Sequence, residues 1–358
     1  MSAPSGEGAS GSLPPAVVDG QASAAAQLHR DALVIDAASF FCRGYDDDLA
    51  ASGVDVINVM VPWPSDDFDQ ALQRIEEYYQ LERTEPRLRL VHAPDDIMAA
   101  KESGAVGLVM GTQNAQLIGD RLGRLEQLHR LGFRYMQLTY NHRNFIGDGC
   151  AEPSDAGLSR FGREVVPAMN EVGIVLDVTH AGHRTALEAL RLTRKPALIS
   201  HANPRGLYDN PRNHHDDVIR ALADTGGVMG CSLPSPFNWS GDDSLPTLED
   251  FARAIEYVID LVGEDHVAIG SDVVVTTGAY PPELSSSLRA DLYLVSGAYY
   301  GRFGVDKRVR KVQGIEDYRD WPRITEVLVA RGHSEDRVRK ILGENLLRVY
   351  REAWIDKR

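Results

Sequence analysis

What is scarce in this chain narrows it first. Only three cysteines occur in 358 residues, Cys42, Cys150 and Cys231, and no two are spaced as a CxxC pair. An odd, scattered set excludes a disulfide framework and suits a reducing compartment. Each reads as an ordinary small side chain, buried or half-buried. No apolar run approaches the length of a bilayer span, so no membrane-crossing helix is expected. Basic residues are outnumbered, 38 Lys and Arg against 52 Asp and Glu, for a net charge of −14. An acidic surface gains nothing from nucleic acid or an anionic membrane, which leaves a small molecule or another protein as the partner. The N-terminus also lacks the basic start and apolar stretch of a signal peptide. Rich in Ala, Ser, Gly and Pro, residues 1–27 are expected to form a disordered tail, with 28–358 as a single domain and a cytoplasmic location as the default.

What is present is ample core material, 43% hydrophobic residues, arranged in a repeating rhythm. Short β-rich runs fall at Leu33–Asp36, Val54–Val61, Val106–Gly111, Arg134–Tyr140, Ile174–His180, Ala197–His201, Gly227–Ser232 and Val267–Asp272. Amphipathic stretches lie between them, at Asp67–Glu82, Arg121–Leu131, Gly162–Val172, Arg184–Leu192, Asp216–Thr225 and Leu248–Leu261. Strand followed by helix, about eight times over, predicts an α/β chain folded as a closed (β/α)8 TIM-like barrel. A further run, Arg87–His92, fits a ninth strand or an edge piece. The segment 273–320 breaks the rhythm with Tyr-Pro-Pro, Ser-Ser-Ser and the basic cluster Lys307–Lys311, and reads as a long insertion after the last strand, bordering the barrel mouth. The basic cluster itself reads as solvated surface. A stripe of Val338, Ile341, Leu342, Leu346, Leu347 and Tyr350 marks the closing helix, Ser334–Trp354, as core packing.

Two of the runs stop on a histidine, His180 and His201, and a third stops on Asp272. Parallel barrel strands bring their last residues around one mouth, where two imidazoles and a carboxylate form the residue set of a hydrolytic metal site.

The stretch LGFRYMQLTYN, followed by GDGC and GLSRFGREVVPAMNEVGIVLDVTHAG, resembles the membrane (renal) dipeptidase family of the amidohydrolase superfamily. ALISHANPRGLYDNPRNHHDDVIRALADTGGVMG, HVAIGSD and ILGENLLRVYREAW extend the resemblance in the right order over about residues 25 to 356. It implies a barrel, often dimeric, that hydrolyses dipeptides with two zinc ions at the strand ends. Carried over by residue, His180 and His201 would be ligands of one metal, Arg212 in Pro-Arg-Asn with its neighbour Asn213 would grip the substrate carboxylate, and Asp272 would handle protons.

The departures fall on the other metal. Where the family has a first-strand His-x-Asp, this chain has Ala38 and Phe40, and neither can coordinate. The bridging glutamate falls on Gln113, whose neutral amide oxygen is a poorer ligand than a carboxylate and cannot balance two dications. The histidine after Leu-Thr falls on Tyr140, which can donate a hydrogen bond to an oxyanion, or line the substrate pocket, but supplies no imidazolium. At most one metal per chain, zinc or another divalent ion, is therefore expected, on His180 and His201 with Asp272 or Gln113 completing the set.

Blander roles stand beside these. A lone strand-end histidine ordinarily serves structure; it is the joint match of His180, His201 and Asp272 that favours a metal or its vestige. Asp177 reads as orienting its neighbours. His142, His183, His214 and His215 read as exposed or supporting loop residues, and Gly147–Cys150 as a turn with a neutral thiol. Arg212 would, on the bland account, only brace a loop through Asn213 and Asp209. Three functions remain open: a one-metal hydrolase of a dipeptide-like amide; a non-hydrolytic lyase, isomerase or transferase in the same pocket; and a catalytically silent small-molecule binding protein with no metal.

Overall fold

The structure, a computed structural model, describes residues 19–39, 44–273, 294–304 and 310–355. Nine parallel strands, β1 (Ile35–Ser39), β2 (Val56–Met60), β3 (Leu88–Leu90), β4 (Val106–Thr112), β5 (Phe133–Gln137), β6 (Val175–Asp177), β7 (Leu198–Ile199), β8 (Val228–Cys231) and β9 (Val267–Ile269), form one sheet. Eight of them run in chain order around a barrel, while β3 sits beside the first half of β4 as the expected edge piece. The ring closes between β1 and β9. Asp272 N donates to Ala38 O at 2.9 Å, and Ser39 bridges Val273 in parallel.

The α-helices are α1 (Asp19–Asp31), α2 (Asp47–Ser52), α3 (Phe68–Thr84), α4 (Pro94–Ser103), α5 (Gly123–Arg130), α6 (Arg160–Val172), α7 (His183–Leu192), α8 (Asp216–Asp224), α9 (Leu248–Val262), α10 (294–303), α11 (Pro322–Ala330), α12 (Glu335–Arg339) and α13 (Asn345–Ala353) among the described residues. Local chemistry sets their ends. Asp67 and Gln70 form a reciprocal capping box on α3, and Ser159 caps α6, which stops at Gly173 in the left-handed region. No helix among the described residues is long and apolar enough to cross a membrane.

Residues 19–27, expected in the disordered tail, are instead helical. The alanine-rich stretch is a good helix former, and α1 is fastened on both sides. His29 Nδ1 lies 2.7 Å from Thr325 Oγ1 on α11, and its Nε2 lies 2.8 Å from the Ser52 carbonyl of α2. Within the insertion, residues 310–313 dock on the rim, with Lys311 bridging Pro234 and Gln313 bridging Thr247. The Tyr-Pro-Pro and Ser-Ser-Ser segments, Lys307–Val309, Phe40 and Cys42 lie outside the described residues. Cys150 and Cys231 are free thiols.

Two apolar layers result. Leu108, Met136, Leu176, Ile199, Met229 and Ile269 point outward into the helical shell, whereas Ile35, Val56, Val109, Tyr135, Val175 and Leu198 point into the barrel. The barrel floor is filled by α13 through Leu346, Tyr350 and Trp354. Tyr350 OH donates to Asn58 Oδ1 at 2.9 Å, and Trp354 Nε1 to the Arg134 carbonyl at 3.1 Å. The closing stripe thus packs where expected, with a π-helical turn over Lys340–Glu344 joining α12 to α13.

The strands that end on the site are shorter than their β-rich runs. Asp177 explains β6 and β7: its Oδ1 accepts from Thr179 N at 2.9 Å and from Ser200 N at 3.2 Å, taking over N–H groups that a longer strand would have paired. Asp36 does the same across the seam, accepting from Ser271 N at 2.8 Å and from the hydroxyls of Ser271 and Tyr318. Burial, opposed by those hydrogen bonds, pushes the Asp36 carboxyl up to about 6.

A folded-state value above the ordinary carboxylate range means that the native chain holds this proton more tightly than the unfolded one. The stability it contributes is present in full below about pH 4 and is lost as pH rises through about 6. Asp36→Asn removes that dependence. Urea denaturation is expected to show the stability of Asp36→Asn relative to wild type rising by up to about 3 kcal/mol between pH 4 and 7.

Candidate active site

His180 lies three residues past β6 and His201 two past β7, so both imidazoles stand at the C-terminal rim of the barrel. Their Nε2 atoms approach to 3.2 Å. Each ring is oriented through its other nitrogen: His180 Nδ1 is 2.7 Å from Asn141 Oδ1, and His201 Nδ1 is 2.8 Å from Ser200 Oγ. An amide oxygen can only accept, so His180 carries its proton on Nδ1 and turns a lone pair toward His201. Two nitrogens at that distance need a proton or a cation between them. Burial, and then the charge of Arg212, push both imidazoles well below their usual range, which keeps them in the neutral form that ligates metals.

Asp272 completes the cluster, with Oδ1 at 3.9 Å from His201 Nε2. That oxygen is buried and has no hydrogen-bond partner. Burial pushes the carboxyl up to about 7, against the opposing pull of Arg212. His180 and Asp272 are also the two non-glycine residues with positive φ among the described residues, at 66° and 53°. Left-handed backbone is unfavourable for such side chains and persists where the surrounding structure imposes it, commonly at functional sites. Close approach of the strands beneath them requires glycine. A Cβ on Gly230 or Gly270 would run into the Ser200 carbonyl.

Arg212, on the β7–α8 loop, is 2% exposed. Its Nη2 donates to the His201 carbonyl at 2.9 Å, its guanidinium lies 5.1 Å from the Phe237 ring centroid, and its Nη1 has no partner. Asp209, the partner that a loop-bracing role would require, pairs with Arg205 instead. Asn213, expected to share a substrate contact, has its amide engaged inside the loop. It donates to the carbonyls of Tyr208 and Phe237 and accepts from Asn203 N. Tyr140 stacks on His180 with ring centroids 4.2 Å apart. Gln113 follows β4 directly, is 1% exposed, and leaves Oε1 without a partner.

Among the histidines expected to be peripheral, His142 and His215 are exposed. His183 pairs with Asp217. His214 is buried, its Nε2 has no partner, and burial followed by Arg212 pushes it down to about 3. Cys150 sits in a turn, its N donating to the His180 carbonyl and its Sγ 3.4 Å from Asn141 Oδ1. Asn141 and Ser200, whose side chains contact the two imidazoles, are the positions at this rim that sequence reasoning passed over. Their signal was adjacency: one follows Tyr140 in Leu-Thr-Tyr-Asn, and the other immediately precedes His201.

The family model for membrane dipeptidase, peptidase family M19, matches residues 23–291 and 301–357. The chain belongs to the membrane dipeptidase family. An amidohydrolase from Pseudomonas aeruginosa is 34% identical, with a TM-score of 0.80 over 92% of this chain and 99% of its own. Dipeptidase tcpJ of Claviceps purpurea is 29% identical over 284 residues, 79% of this chain. Dipeptidase verJ of Clonostachys rogersoniana is 28% identical over 281 residues, 78% of this chain. The chain spans 58% and 63% of the lengths of those two relatives. A metallopeptidase from Rhodobacter sphaeroides, its structure liganded with a phosphinate mimic of the dipeptide L-Ala-D-Ala, shares the fold at 19% identity and a TM-score of 0.74, over 90% of this chain and 99% of its own.

Membership of this metallopeptidase family implies a divalent metal, and the donor set can be tested against one. Two nitrogens bound to one tetrahedral zinc stand about 3.3 Å apart, and His180 and His201 meet that spacing. A dinuclear centre does not fit, because Ala38 and Gln113 stand where its ligands would be. Among the described residues, no group of three or more His, Cys, Asp or Glu is arranged to hold a metal ion. The histidine pair therefore fits one ion, with the remaining positions left to neighbouring oxygens or water.

The Asn141 contact makes a prediction independent of any metal. Long-range nitrogen–proton NMR correlations are expected to show His180 as the Nδ1–H tautomer in the wild type and a mixture of tautomers in Asn141→Leu.

Proposed function

We propose that this protein hydrolyses an amide bond in a small, carboxylate-bearing dipeptide or related amino-acid derivative, using one divalent metal held by His180 and His201. The observation that carries this reading is convergence. Two neutral imidazoles at ligand spacing, an unpartnered Asp272 oxygen and an unpartnered Arg212 Nη1 meet at one rim. A metal bound there would act as a Lewis acid and lower the pKa of its water toward ~7.

The chain's own residues do the rest. Arg212 binds the substrate carboxylate through Nη1, a charge-assisted contact in a site nearly closed to water. Asp272 takes the proton of the attacking water and returns it to the leaving amine, the task suited to a carboxyl held near neutrality. Tyr140 donates to the developing oxyanion, with its ring fixed against His180. Asn141 and Ser200 hold the two imidazoles in position. Asn213 acts at one remove, by holding the loop that carries Arg212.

One observation favours a second reading. The 3.2 Å approach of the two Nε2 atoms is also hydrogen-bonding distance, and no third ligand is in place among the described residues. On that account the rim is metal-free, and it binds a small molecule or performs non-hydrolytic chemistry.

Metal analysis of protein purified without added zinc divides the two. The hydrolase reading expects about one tightly held ion per chain, lost in the double variant His180→Ala/His201→Ala. Protein that stays metal-free in micromolar zinc while retaining its function supports the second. With metal retained, Asp272→Asn is expected to lower amide hydrolysis by 10²–10⁴-fold. Arg212→Met should lower kcat/KM by about 10²-fold, chiefly through KM.

A further inference from the structure

The charges at this rim are unbalanced, and the imbalance bears on which end of a substrate it accepts. Arg212 is a fixed, buried cation. The carboxylates of the strand ends and rim loops are nearly all committed. Asp36 is bound to Ser271, Tyr318 and the Ala38 backbone at the seam. Asp66 accepts from Trp63 N and pairs with Arg74, and Asp148 pairs with Arg143. Asp177 has an unpartnered oxygen, but it lies on β6 below the rim, where its charge acts on Tyr135 and Tyr350 in the barrel interior. Among the described residues, this leaves Asp272 as the carboxylate at the rim with an unpartnered oxygen.

The free amine of a dipeptide is an ammonium ion. Moving it from water into a nearly closed rim is costly unless a carboxylate or a metal site receives it. Asp272 is engaged in proton transfer on the hydrolase reading, and the other strand ends that could supply a receiver carry Ala38, buried and apolar, and Gln113, neutral. A divalent cation on His180 and His201 would only add to the positive field of Arg212. Gln113 Oε1 is buried, unpartnered and uncharged, and so suits a neutral N–H donor.

We propose that the substrate is an N-acylated dipeptide, whose carboxylate is held by Arg212 and whose capping amide N–H donates to Gln113 Oε1. This rests on the hydrolase reading above and narrows it. The reaction is hydrolysis of the bond between the two residues. The water oxygen bonds to the acyl carbon, the C–N bond breaks, one proton of the water reaches the leaving nitrogen, and an N-acyl amino acid and a free amino acid depart. No oxidant or further co-reactant is needed.

The test compares N-acetyl-alanyl-alanine with alanyl-alanine on the wild-type protein, following released alanine. In parallel, calorimetry compares the non-hydrolysable phosphinate mimics of the same two compounds. The capped compound is expected to have at least tenfold higher kcat/KM and its mimic at least tenfold tighter binding. Gln113→Glu, which restores a carboxylate, is expected to move both ratios at least tenfold toward the free amine. Equal or tighter binding of the free-amine mimic by the wild type overturns the proposal, as does binding of neither. If alanyl-alanine is cleaved at least as well as the capped peptide, the hydrolase reading stands and this inference falls. If the capped mimic binds better but neither peptide is cleaved, recognition of the capped end stands, while the hydrolase reading and the hydrolytic step fall. Should Gln113→Glu fail to fold, as judged by its melting curve, the wild-type comparisons decide.

Discussion

Backbone N–H groups cannot be left bare where parallel strands stop, and the architecture of this rim follows from how that constraint is met. Two buried aspartates meet it. Asp177 takes the N–H groups of Thr179 and Ser200, and Asp36 takes those of Ala38 and Ser271. Each carboxylate therefore joins two neighbouring strand ends, β6 to β7 and β1 to β9. Just beyond the strands stand His180, His201 and Asp272, the last with its N–H still closing the seam on the Ala38 carbonyl. The left-handed backbone of His180 and Asp272 lies just beyond these two carboxylates, which supply the hydrogen bonds that the turns interrupt.

The same arrangement sets the electrostatics. The barrel interior desolvates every ionisable group it encloses, which drives the imidazoles toward neutrality and the carboxyl of Asp272 toward protonation. Arg212, which cannot give up its charge, becomes the dominant fixed charge at the rim. Its hold on the His201 carbonyl ties that charge to the backbone next to the proposed metal ligand. With Ala38 at the end of β1 and Gln113 just past β4, no carboxylate from those two positions opposes it.

Much of the barrel was legible in the sequence because parallel strands buried on both faces read as nearly continuous apolar runs, and Val56–Met60, interrupted only by Asn58, and Val106–Thr112 are such cases. The closing stripe of α13 was legible for a similar reason, since its apolar side faces one continuous floor. Strand ends were overextended because apolar composition does not register a carboxylate intercepting the ladder, as Asp177 does. Helices α1, α2, α4, α10 and α11 were not named from the sequence: α1 and α4 are alanine-bearing and weakly patterned, and α2 is only six residues long. Within the site, His180, His201, Asp272 and Arg212 were visible as strand-end and motif residues. Asn141 and Ser200 were not, because an orienting side chain is defined by the atom it touches and carries no spacing of its own.

The barrel floor has a consequence for how the molecule comes to exist. Strands β1 to β9 are all made before residue 270, yet the interior they enclose is plugged by Leu346, Tyr350 and Trp354. During synthesis the ring of strands therefore waits, with its lower apolar face open to water, until the segment that carries Leu346, Tyr350 and Trp354 has followed it. All nine strands precede that plug in the chain, so the barrel stays unsealed until α13 has been made.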